Sequence, residues 1–417
     1  MRIITDLHIH SKYSRACSKD LDLEHNAAWA KRKGITIVGT GDFTHPAWFR
    51  ELKEKLVEAR PGLFKLRAEK SDVYFMLTTE LSCIYSQGGK VRRVHICVFA
   101  PSFEAVEKII AALEARKVNL RADGRPIMGL SVELLTKIIY DCDPRCMVIP
   151  AHIWTPWFAM FGSHSGFDTV QECFGEMTPN ICAIETGLSS DPPMNWRLSA
   201  LDDMMIVSNS DAHSPANLGR EATVFNIAEE KLSYDEWRRI LRERDRAKLL
   251  YTIEFFPEEG KYHADGHRAC HFYCLPAETK KLKNICPVCK RNLTVGVLHR
   301  VEDLADREVH TLPVQHRPYK SIIPLPELIA AVIGKGKGSK AVQTRYLDMT
   351  DWCGSEFYIL LDAPQEHLLR FIEPEIVAAI ETVRQGRVRL VPGYDGEYGV
   401  IDALGINDLS KQQKTLF

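Results

Sequence analysis

The chain has 417 residues, of which 45% are hydrophobic and 26% are charged, and this length predicts two or three domains rather than one compact core. Its formal net charge of −1 excludes a globally basic nucleic-acid-binding protein, so any basic surface has to be local. No signal peptide opens the sequence and no apolar run is long enough to span a bilayer, so we expect a cytoplasmic protein without a membrane partner, whose 12 cysteines are mostly thiols.

The first predicted strand ends in two histidines. The apolar pair Ile3-Ile4 leads directly into Asp6-Leu7-His8-Ile9-His10. Side chains two positions apart on a strand point to the same side, so the imidazoles of His8 and His10 can bind one cation together. A His-x-His pair is a weak signal alone, and the metal hypothesis depends on the same layout recurring later in the chain.

Predicted helices and strands alternate over the first half of the chain. Helices are predicted at 21–33, 47–59, 103–115 and 131–141, and strands at 35–38, 73–79, 91–99, 147–149, 181–184 and 205–207. This alternation favours a parallel sheet that is closed or nearly closed. In such barrels the functional groups lie at the carboxyl ends of the strands.

Metal-binding side chains stand at the ends of these strands, or in one case within a strand. They are His8, His10, Asp42, Glu80, His95, His152, Asp211 and His213. Each one alone has a structural alternative, such as a hydrogen-bonded core histidine or a salt bridge, but the whole set favours a metal pocket. Mixed imidazole and carboxylate ligands suit Zn²⁺, Mn²⁺ or iron, and eight ligands exceed one tetrahedral site. We therefore predict a multinuclear centre, because two ions about 3.5–4 Å apart are suited to phosphoryl transfer.

These residues resemble the polymerase-and-histidinol-phosphatase (PHP) family, which implies a distorted (β/α)7 barrel over residues 1–250 with up to three ions. The resemblance places His8, His10, Glu80 and Asp211 on one ion, Glu80, His95 and His152 on a second, and His213 with Asp42 or His45 on a third. Many family members carry a histidine or aspartate where this chain has Arg15-Ala16-Cys17, and Asp42 replaces a usual histidine. The third ion is therefore the least supported of the three.

A different metal site is predicted in residues 251–300. The pair Cys286-Pro-Val-Cys289 is a specific signal for structural zinc, and Cys270 supplies a third ligand. The fourth ligand is Cys274 or, less favoured, His267. A redox role for the cysteine pair is the alternative, but it lacks a thioredoxin-like setting. The zinc ion would fold a segment with little core of its own and would perform no chemistry.

Residues 301–410 are predicted to form a mainly helical DNA-binding region. A helix at 324–333 runs into Gly334-Lys-Gly-Lys-Gly-Ser-Lys340, where glycines permit close approach to a phosphate. The proposed contacts are Lys335, Lys337, Lys340 and Arg345, helped by the amides of a helix that begins near Ser339. A solvated flexible loop is the alternative interpretation.

Two further stretches are proposed to bind DNA or a sliding clamp, but each also has an interpretation without function. Trp154 and Trp157 follow His152 and are suited to stacking an unpaired base, although ordinary packing is the favoured alternative. The tail 411–417 contains Gln413, Leu416 and Phe417, which resemble a sliding-clamp-binding peptide without its second aromatic residue.

The whole chain resembles the endonuclease Q family. The resemblance is carried by Gly39-Thr-Gly-Asp-Phe-Thr-His-Pro46, Ser208-Asn-Ser-Asp-Ala-His-Ser-Pro215, Asp265-Gly-His-Arg268, the cysteine pair and residues 293–307. It implies an archaeal, cytoplasmic DNA repair endonuclease that cuts 5′ of deaminated bases (hypoxanthine, uracil, xanthine) and at abasic sites. It also implies base flipping, a PCNA-type sliding-clamp partner, one structural Zn²⁺ and two or three active-site ions, with Mn²⁺ or Mg²⁺ as alternatives to Zn²⁺.

Two other functions are open on the sequence alone. A small-molecule phosphoesterase of the histidinol-phosphatase type would use the same pocket, but it leaves the zinc segment and the Gly-Lys loop without a role. A non-catalytic DNA-binding module would keep the barrel as a scaffold, and the nearly complete set of metal ligands disfavours it.

Overall fold

The chain forms a mixed α/β fold with a central sheet, seen in a computed structural model that describes residues 1–68 and 71–403. The strands are β1 (Arg2–Asp6), β2 (Ile37–Gly39), β3 (Leu56–Arg60), β4 (Leu63–Leu66), β5 (Tyr74–Gln87), β6 (Lys90–Ala100), β7 (Ile127–Met128), β8 (Met147–Pro150), β9 (Ala183–Glu185), β10 (Met205–Val207), β11 (Ala222–Asn226), β12 (Leu249–Glu254), β13 (Asp265–His267), β14 (Phe272–Cys274), β15 (Tyr319–Ser321), β16 (Arg389–Val391) and β17 (Val400–Asp402). The predicted α/β class is confirmed.

The α-helices lie between these strands and dominate residues 325–384. They are α1 (Leu23–Lys33), α2 (Pro46–Lys55), α3 (Phe103–Glu114), α4 (Val132–Cys142), α5 (Val170–Phe174), α6 (Pro192–Asn195), α7 (Tyr234–Arg242), α8 (Pro276–Lys281), α9 (Val297–Leu304), α10 (Leu325–Ile333), α11 (Lys340–Cys353), α12 (Gln365–Leu368) and α13 (Pro374–Arg384). Asp22, Ser102, Ser131 and Ser339 cap α1, α3, α4 and α11, each accepting a backbone N–H of the first turn. No helix in the described part of the chain is long and apolar enough to cross a membrane.

The central sheet mixes parallel and antiparallel pairs. Strand β1 pairs in parallel with β2, and β2 pairs in parallel with β5. Strand β5 then forms a long antiparallel hairpin with β6, and β6 pairs antiparallel with β8. Strands β9 and β10 form a separate parallel pair. The alternating pattern had predicted a parallel sheet, but the observed sheet contains parallel and antiparallel pairs.

Loop hydrogen bonds join the β9–β10 pair to the central sheet. The amide of His10 donates to the carbonyl of Ala212 over 3.1 Å, which ties the end of β1 to the segment after β10. The amide of Ile153 donates to the carbonyl of Glu185 over 3.1 Å, which ties the end of β8 to β9. These bonds bring the ends of four strands to one rim.

Two predicted elements differ from the structure. Helix α2 was predicted to reach residue 59, but it ends at Lys55, because Leu56–Arg60 pairs with Leu63–Leu66 across the Pro61-Gly62 turn. The strand predicted at 73–79 continues to Gln87, so Glu80 lies in the middle of β5 rather than at its end. The hairpin with β6 extends this strand, and the turn falls at Gly88-Gly89, where both φ angles are positive.

The C-terminal helices are anchored on α1 by a buried ion pair. The ammonium of Lys33 lies 2.6 Å from Oε2 of Glu356, and both side chains are 2% exposed. The hydroxyl of Tyr346 donates to Oε2 of Glu356 over 2.8 Å, and the amide of Leu325 donates to Oε1 over 3.0 Å. This contact fixes α10 and α11 against the region that contains the predicted metal ligands.

Candidate metal centre

Four side chains from three separate stretches of the chain converge in the first ligand group. His8, His10, Glu80 and Asp211 place one ligand atom each within 4.8 Å of one another. Nε2 of His10 lies 2.9 Å from Oδ1 of Asp211, and Nε2 of His8 lies 3.7 Å from Oε1 of Glu80. Nε2 of His8 is buried and has no hydrogen-bond partner among the described residues. A buried imidazole nitrogen facing two carboxylates fits a divalent cation.

The second ligand group shares a carboxylate with the first. Oε1 of Glu80 lies 2.6 Å from Nδ1 of His95 and 3.0 Å from Nε2 of His152. Because Glu80 belongs to both groups, its carboxylate could serve two ions. The sequence predicted both groups with the same members.

Glu185 holds the ligands from behind, a role that sequence analysis missed. Its Oε2 lies 2.9 Å from Nδ1 of His8 and accepts the backbone N–H of His152 over 2.9 Å. Its Oε1 accepts from the side-chain amide of Asn209 over 2.8 Å. A carboxylate on the far nitrogen of a ligand histidine fixes the ring orientation and the tautomer. The position of Glu185 at a strand end was the only sequence signal.

Asp42 contacts His10 and lies outside the ligand groups, so its predicted place on a third ion stays a prediction. Its Oδ1 lies 3.2 Å from Nδ1 of His10. Its Oδ2 accepts from the amide of Ser11 over 2.6 Å and from the hydroxyl of Ser14 over 2.8 Å. These bonds turn the carboxylate toward the loop after β1, so it stands behind His10 as Glu185 stands behind His8.

The other predicted members of a third site lie outside both groups. The ring of His213 is 4.6 Å from the ring of His10, and its Nδ1 lies 2.8 Å from the carbonyl oxygen of Asp211. His45, the alternative partner, stacks on Tyr13 at 4.4 Å. Within the described residues, neither histidine joins a group of three or more potential ligands.

Three residues of the centre have a strained backbone. Asp42, His152 and Asp211 have φ angles of +47°, +30° and +48°. Side chains other than glycine rarely adopt this region, although aspartate tolerates it better than most. Strain of this kind costs on the order of 1–3 kcal/mol and is concentrated at functional sites.

The surroundings keep Glu80 ionised, and burial keeps His95 neutral. Burial opposes ionisation of Glu80, but the Arg125 guanidinium and hydrogen bonds from His152 and His8 hold its pKa well below the usual value. Burial lowers the pKa of His95 to about 4, although Glu80 raises it. An ionised carboxylate and a neutral imidazole are the forms that bind metal ions.

The cysteine-rich segment forms a further ligand group, separate from the two that share Glu80. It contains His267, Cys270, Cys286 and Cys289, whose ligand atoms lie within 4.8 Å of one another. Burial opposes ionisation of Cys286, but the amides of Cys289 and Val288 outweigh it and lower its pKa. A thiolate that accepts backbone N–H bonds, among three further nitrogen and sulfur ligands, fits a tetrahedral zinc ion.

Cys274, the preferred fourth ligand of the sequence analysis, lies outside this group. Its Sγ is 3.1 Å from the hydroxyl of Thr279. In the β13–β14 hairpin Cys274 pairs with Asp265, at the opposite end from His267. The hairpin geometry therefore places His267, the less favoured alternative, beside the three cysteines.

The predicted base-stacking residues are not free surface aromatics. Trp154 is fully buried and donates from its indole N–H to Asn195 over 2.8 Å, so it is a core residue and that prediction was wrong. Trp157 is half-buried, with its ring stacked on His164 at 4.5 Å and edge-on to Tyr262 at 5.3 Å. Phe158, next in the chain, lies 4.7 Å from the ring of His95.

The Gly-Lys loop joins α10 to α11 on the surface. Lys335, Lys337 and Lys340 are exposed, and Lys337 pairs with Glu327 at 2.9 Å. Arg345 forms an ion pair with Glu373, so its charge is partly neutralised. The predicted clamp-binding residues Gln413, Leu416 and Phe417 lie outside the described residues.

A protein-family model and a curated protein each match part of this chain. Residues 324–387 match the MJ0043 C-terminal domain family. The uncharacterized protein MJ0043 of Methanocaldococcus jannaschii is 34% identical over 250 residues, which are 60% of this chain and 31% of that protein, so the chain corresponds to about a third of that relative.

Two solved structures match over nearly the whole chain. The lesion-specific endonuclease PfuEndoQ from Pyrococcus furiosus superposes with a TM-score of 0.85 at 30% identity and covers 99% of both chains. An endonuclease Q in complex with a 27-mer duplex that has an abasic lesion at the active site superposes with a TM-score of 0.83 at 31% identity, covering 98% of this chain and 100% of that chain.

The α/β fold carries two ligand groups of histidines and carboxylates, which share Glu80, at one rim of its sheet. This arrangement is that of a metal-dependent hydrolase. The two superpositions with endonuclease Q structures cover nearly the whole chain, including the cysteine-rich segment and the C-terminal helices. The chain belongs to the endonuclease Q family, which confirms the resemblance inferred from its sequence.

Proposed function

We propose that this protein is a DNA repair endonuclease that hydrolyses the phosphodiester backbone 5′ of a damaged nucleotide. The observation that carries the proposal is the shared carboxylate of Glu80, which joins two ligand groups in a chain that matches a lesion-bound endonuclease Q end to end. The proposed lesions are abasic sites and the deaminated bases hypoxanthine, uracil and xanthine.

The metal ions are proposed to occupy the two ligand groups that share Glu80, as Zn²⁺, Mn²⁺ or Mg²⁺. Bound there, two ions would lower the pKa of a water molecule and neutralise charge on the reacting phosphate. The chain's own contribution is to fix the ligands: Glu185 and Asp42 hold His8 and His10 in one orientation. His213 is kept as the proposed ligand of a further ion, within a proposed PHP-type barrel over residues 1–250.

The Gly-Lys loop is proposed to hold the DNA backbone. A Cβ placed on Gly334, Gly336 or Gly338 would meet nothing within 4 Å, so packing does not require glycine at these positions. The exposed glycines around Lys335 and the first turn of α11 would allow a phosphate to approach closely. Residues 251–300 are proposed to bind a structural zinc ion, and 301–410 to form the DNA-binding region.

Extrusion of the damaged nucleotide is proposed to bring it to the aromatic rim of the pocket. Unstacking costs less at a mispaired or missing base, which favours damaged sites. Phe158, half-buried beside His95, replaces the buried Trp154 as the aromatic residue in reach of such a base, and Trp157 is retained beside it.

The experiment is a cleavage assay on duplexes that differ only in one nucleotide. Abasic, deoxyinosine, deoxyuridine, deoxyxanthosine and undamaged duplexes are incubated with the protein, with and without chelator. We expect metal-dependent cutting 5′ of the lesion, and a loss on the order of 10²-fold or more in Asp211→Asn, because it removes a charged ligand. Asp141→Asn, on the exposed face of α4, is the matched control.

Two outcomes would contradict the proposal. Undiminished cutting by Asp211→Asn would remove the metal centre from the reaction. Turnover of a phosphate monoester without any cutting of damaged duplex would favour the small-molecule phosphoesterase. The sliding-clamp partner and the cytoplasmic location are separate proposals, and a binding assay of PCNA-type clamp with protein lacking residues 411–417 tests the first.

A further inference from the structure

The loop between α3 and β7 carries an arginine into the metal centre. Nη1 of Arg125 lies 3.0 Å from Oε2 of Glu80, the carboxylate shared by the two ligand groups. Glu80 is fully buried, whereas the Arg125 side chain is 25% exposed. The guanidinium therefore reaches the buried carboxylate while part of it stays accessible from outside.

The backbone of this loop is built to approach the pocket closely. A Cβ on Gly124 would lie 2.3 Å from Oδ2 of Asp42 and 2.4 Å from the hydroxyl of Ser14, so no larger residue fits there without displacing them. The amide of Gly124 donates to the carbonyl of Tyr13 over 3.0 Å, and the amide of Ser82 donates to the carbonyl of Pro126 over 3.2 Å. The residue between Gly124 and Pro126 is therefore fixed on both sides and directed at Glu80.

The guanidinium of Arg125 carries a permanent positive charge, because arginine is not deprotonated in proteins. It contacts Glu80, which is also a proposed metal ligand. Metal ions bound to the Glu80 carboxylate would repel the guanidinium of Arg125, because like charges repel at this distance. The guanidinium would then be available to contact another anion.

We propose that Arg125 contacts the phosphate being cleaved when metal ions occupy the Glu80 carboxylate, and that it stabilises the negative charge of the transition state. A guanidinium has five N–H donors in a planar fork that matches two phosphate oxygens. This assignment rests on the proposed phosphodiester hydrolysis and adds to it a catalytic residue that is not a metal ligand. No motif marks the segment Arg121-Ala-Asp-Gly-Arg125, so sequence analysis did not find it.

The alternative is a purely structural arginine that holds Glu80 in place. The two roles differ in what happens to the metal ions. A structural role predicts that Arg125→Met loses metal and activity together. A phosphate contact predicts that the metal content stays the same while the affinity for a phosphate falls.

The experiment compares Arg125→Met and Arg125→Lys with wild type and with Arg121→Met, an exposed arginine on the same loop. Metal per chain is measured by mass spectrometry, and inorganic phosphate is titrated into metal-loaded protein by calorimetry. We expect unchanged metal content in every variant, and phosphate binding at least about tenfold weaker in Arg125→Met, with Arg125→Lys intermediate because lysine lacks the fork.

Cleavage of the abasic duplex gives the third readout. Arg125→Met is expected to lose on the order of 10²–10³-fold in kcat and to raise KM by no more than about tenfold, because the contact strengthens in the transition state. Phosphate affinity and kcat within twofold of wild type, or metal loss in parallel with activity, would overturn the assignment. If wild type fails to cut the duplex, the proposed function fails, and the phosphate titration still tests Arg125 by itself.

Discussion

Nδ1 of His8 lies 2.9 Å from Oε2 of Glu185, so the ring is held between this carboxylate and the ligand group that contains its Nε2. The same oxygen of Glu185 accepts the backbone N–H of His152, a member of the second group. One buried carboxylate therefore orients a residue of each group. Such outer residues change metal affinity without touching the metal.

Replacing Glu185 is expected to weaken metal binding rather than abolish it. Glu185→Gln keeps the shape of the side chain but removes the charge that raises the basicity of His8. We expect metal affinity about 10–100-fold lower, with cleavage restored by excess metal. The measurement is titration of chelator-stripped protein with Mn²⁺, with the exposed Glu176→Gln as control. Unchanged affinity would show that Glu185 has no part in orienting the ligands.

The comparison of Asp42 with Glu185 shows what sequence can predict here. His8, His10 and Asp211 were found because period-two spacing and strand boundaries are local properties of the chain. Which carboxylate contacts a metal and which stands behind a histidine depends on loops distant in sequence. Asp42 turns toward Ser11 and Ser14, and no local pattern encodes that choice.

The proposed zinc segment also shows which contacts cannot be predicted from the sequence. Cysteine spacing identified Cys270, Cys286 and Cys289, but the fourth position depends on the register of a three-residue hairpin. Trp154 was misplaced for a related reason, since a tryptophan next to a ligand can face the pocket or the core. Its indole N–H reaches Asn195, which lies 41 residues away in the chain.

Loss of the zinc ligands is expected to unfold the segment around β13 and β14. Cys286→Ser and His267→Ala should each bind about one zinc fewer per chain and lose protection from hydrogen exchange at 265–293, because the ion supplies the folding energy of such segments. Cys274→Ser should keep its zinc, since its Sγ faces Thr279. Metal analysis decides between His267 and Cys274. Zinc loss in Cys274→Ser but not in His267→Ala would reverse the assignment.

The Lys33–Glu356 pair is expected to show strong coupling in a double-mutant cycle. Lys33→Met leaves Glu356 buried without its cation, which should lower the free energy of unfolding by about 3–5 kcal/mol. Lys33→Met combined with Glu356→Gln removes both charges and should recover much of that loss, because the new amide can accept the N–H of Leu325 with its oxygen and donate from its NH₂ to the hydroxyl of Tyr346. Urea unfolding of the four proteins measures the cycle. Additive effects of the two substitutions would exclude a coupled buried pair.

The buried carboxyl group of Glu254 contributes to the pH dependence of the free energy of unfolding. Glu254 is fully buried and accepts from the hydroxyls of Ser208 over 2.5 Å and Thr186 over 3.2 Å. Burial raises the pKa of Glu254 to about 8, from 4.5 in an unfolded chain. Between these two values the folded protein binds the extra proton, so stability falls as pH rises from about 4.5 to about 8.

Glu254→Gln is expected to remove the part of that dependence that Glu254 contributes, because the amide imitates the protonated acid at every pH. The variant should match wild type near pH 5 and exceed it in melting temperature at pH 8.5, where wild type has to keep an ionised carboxylate buried. Each unit of pKa shift corresponds to about 1.4 kcal/mol, so the gain is at most a few kcal/mol. Melting curves from pH 5 to 9, with the exposed Glu366→Gln as control, measure the difference. A gain that grows toward low pH would mean that Glu254 is ionised in the folded protein.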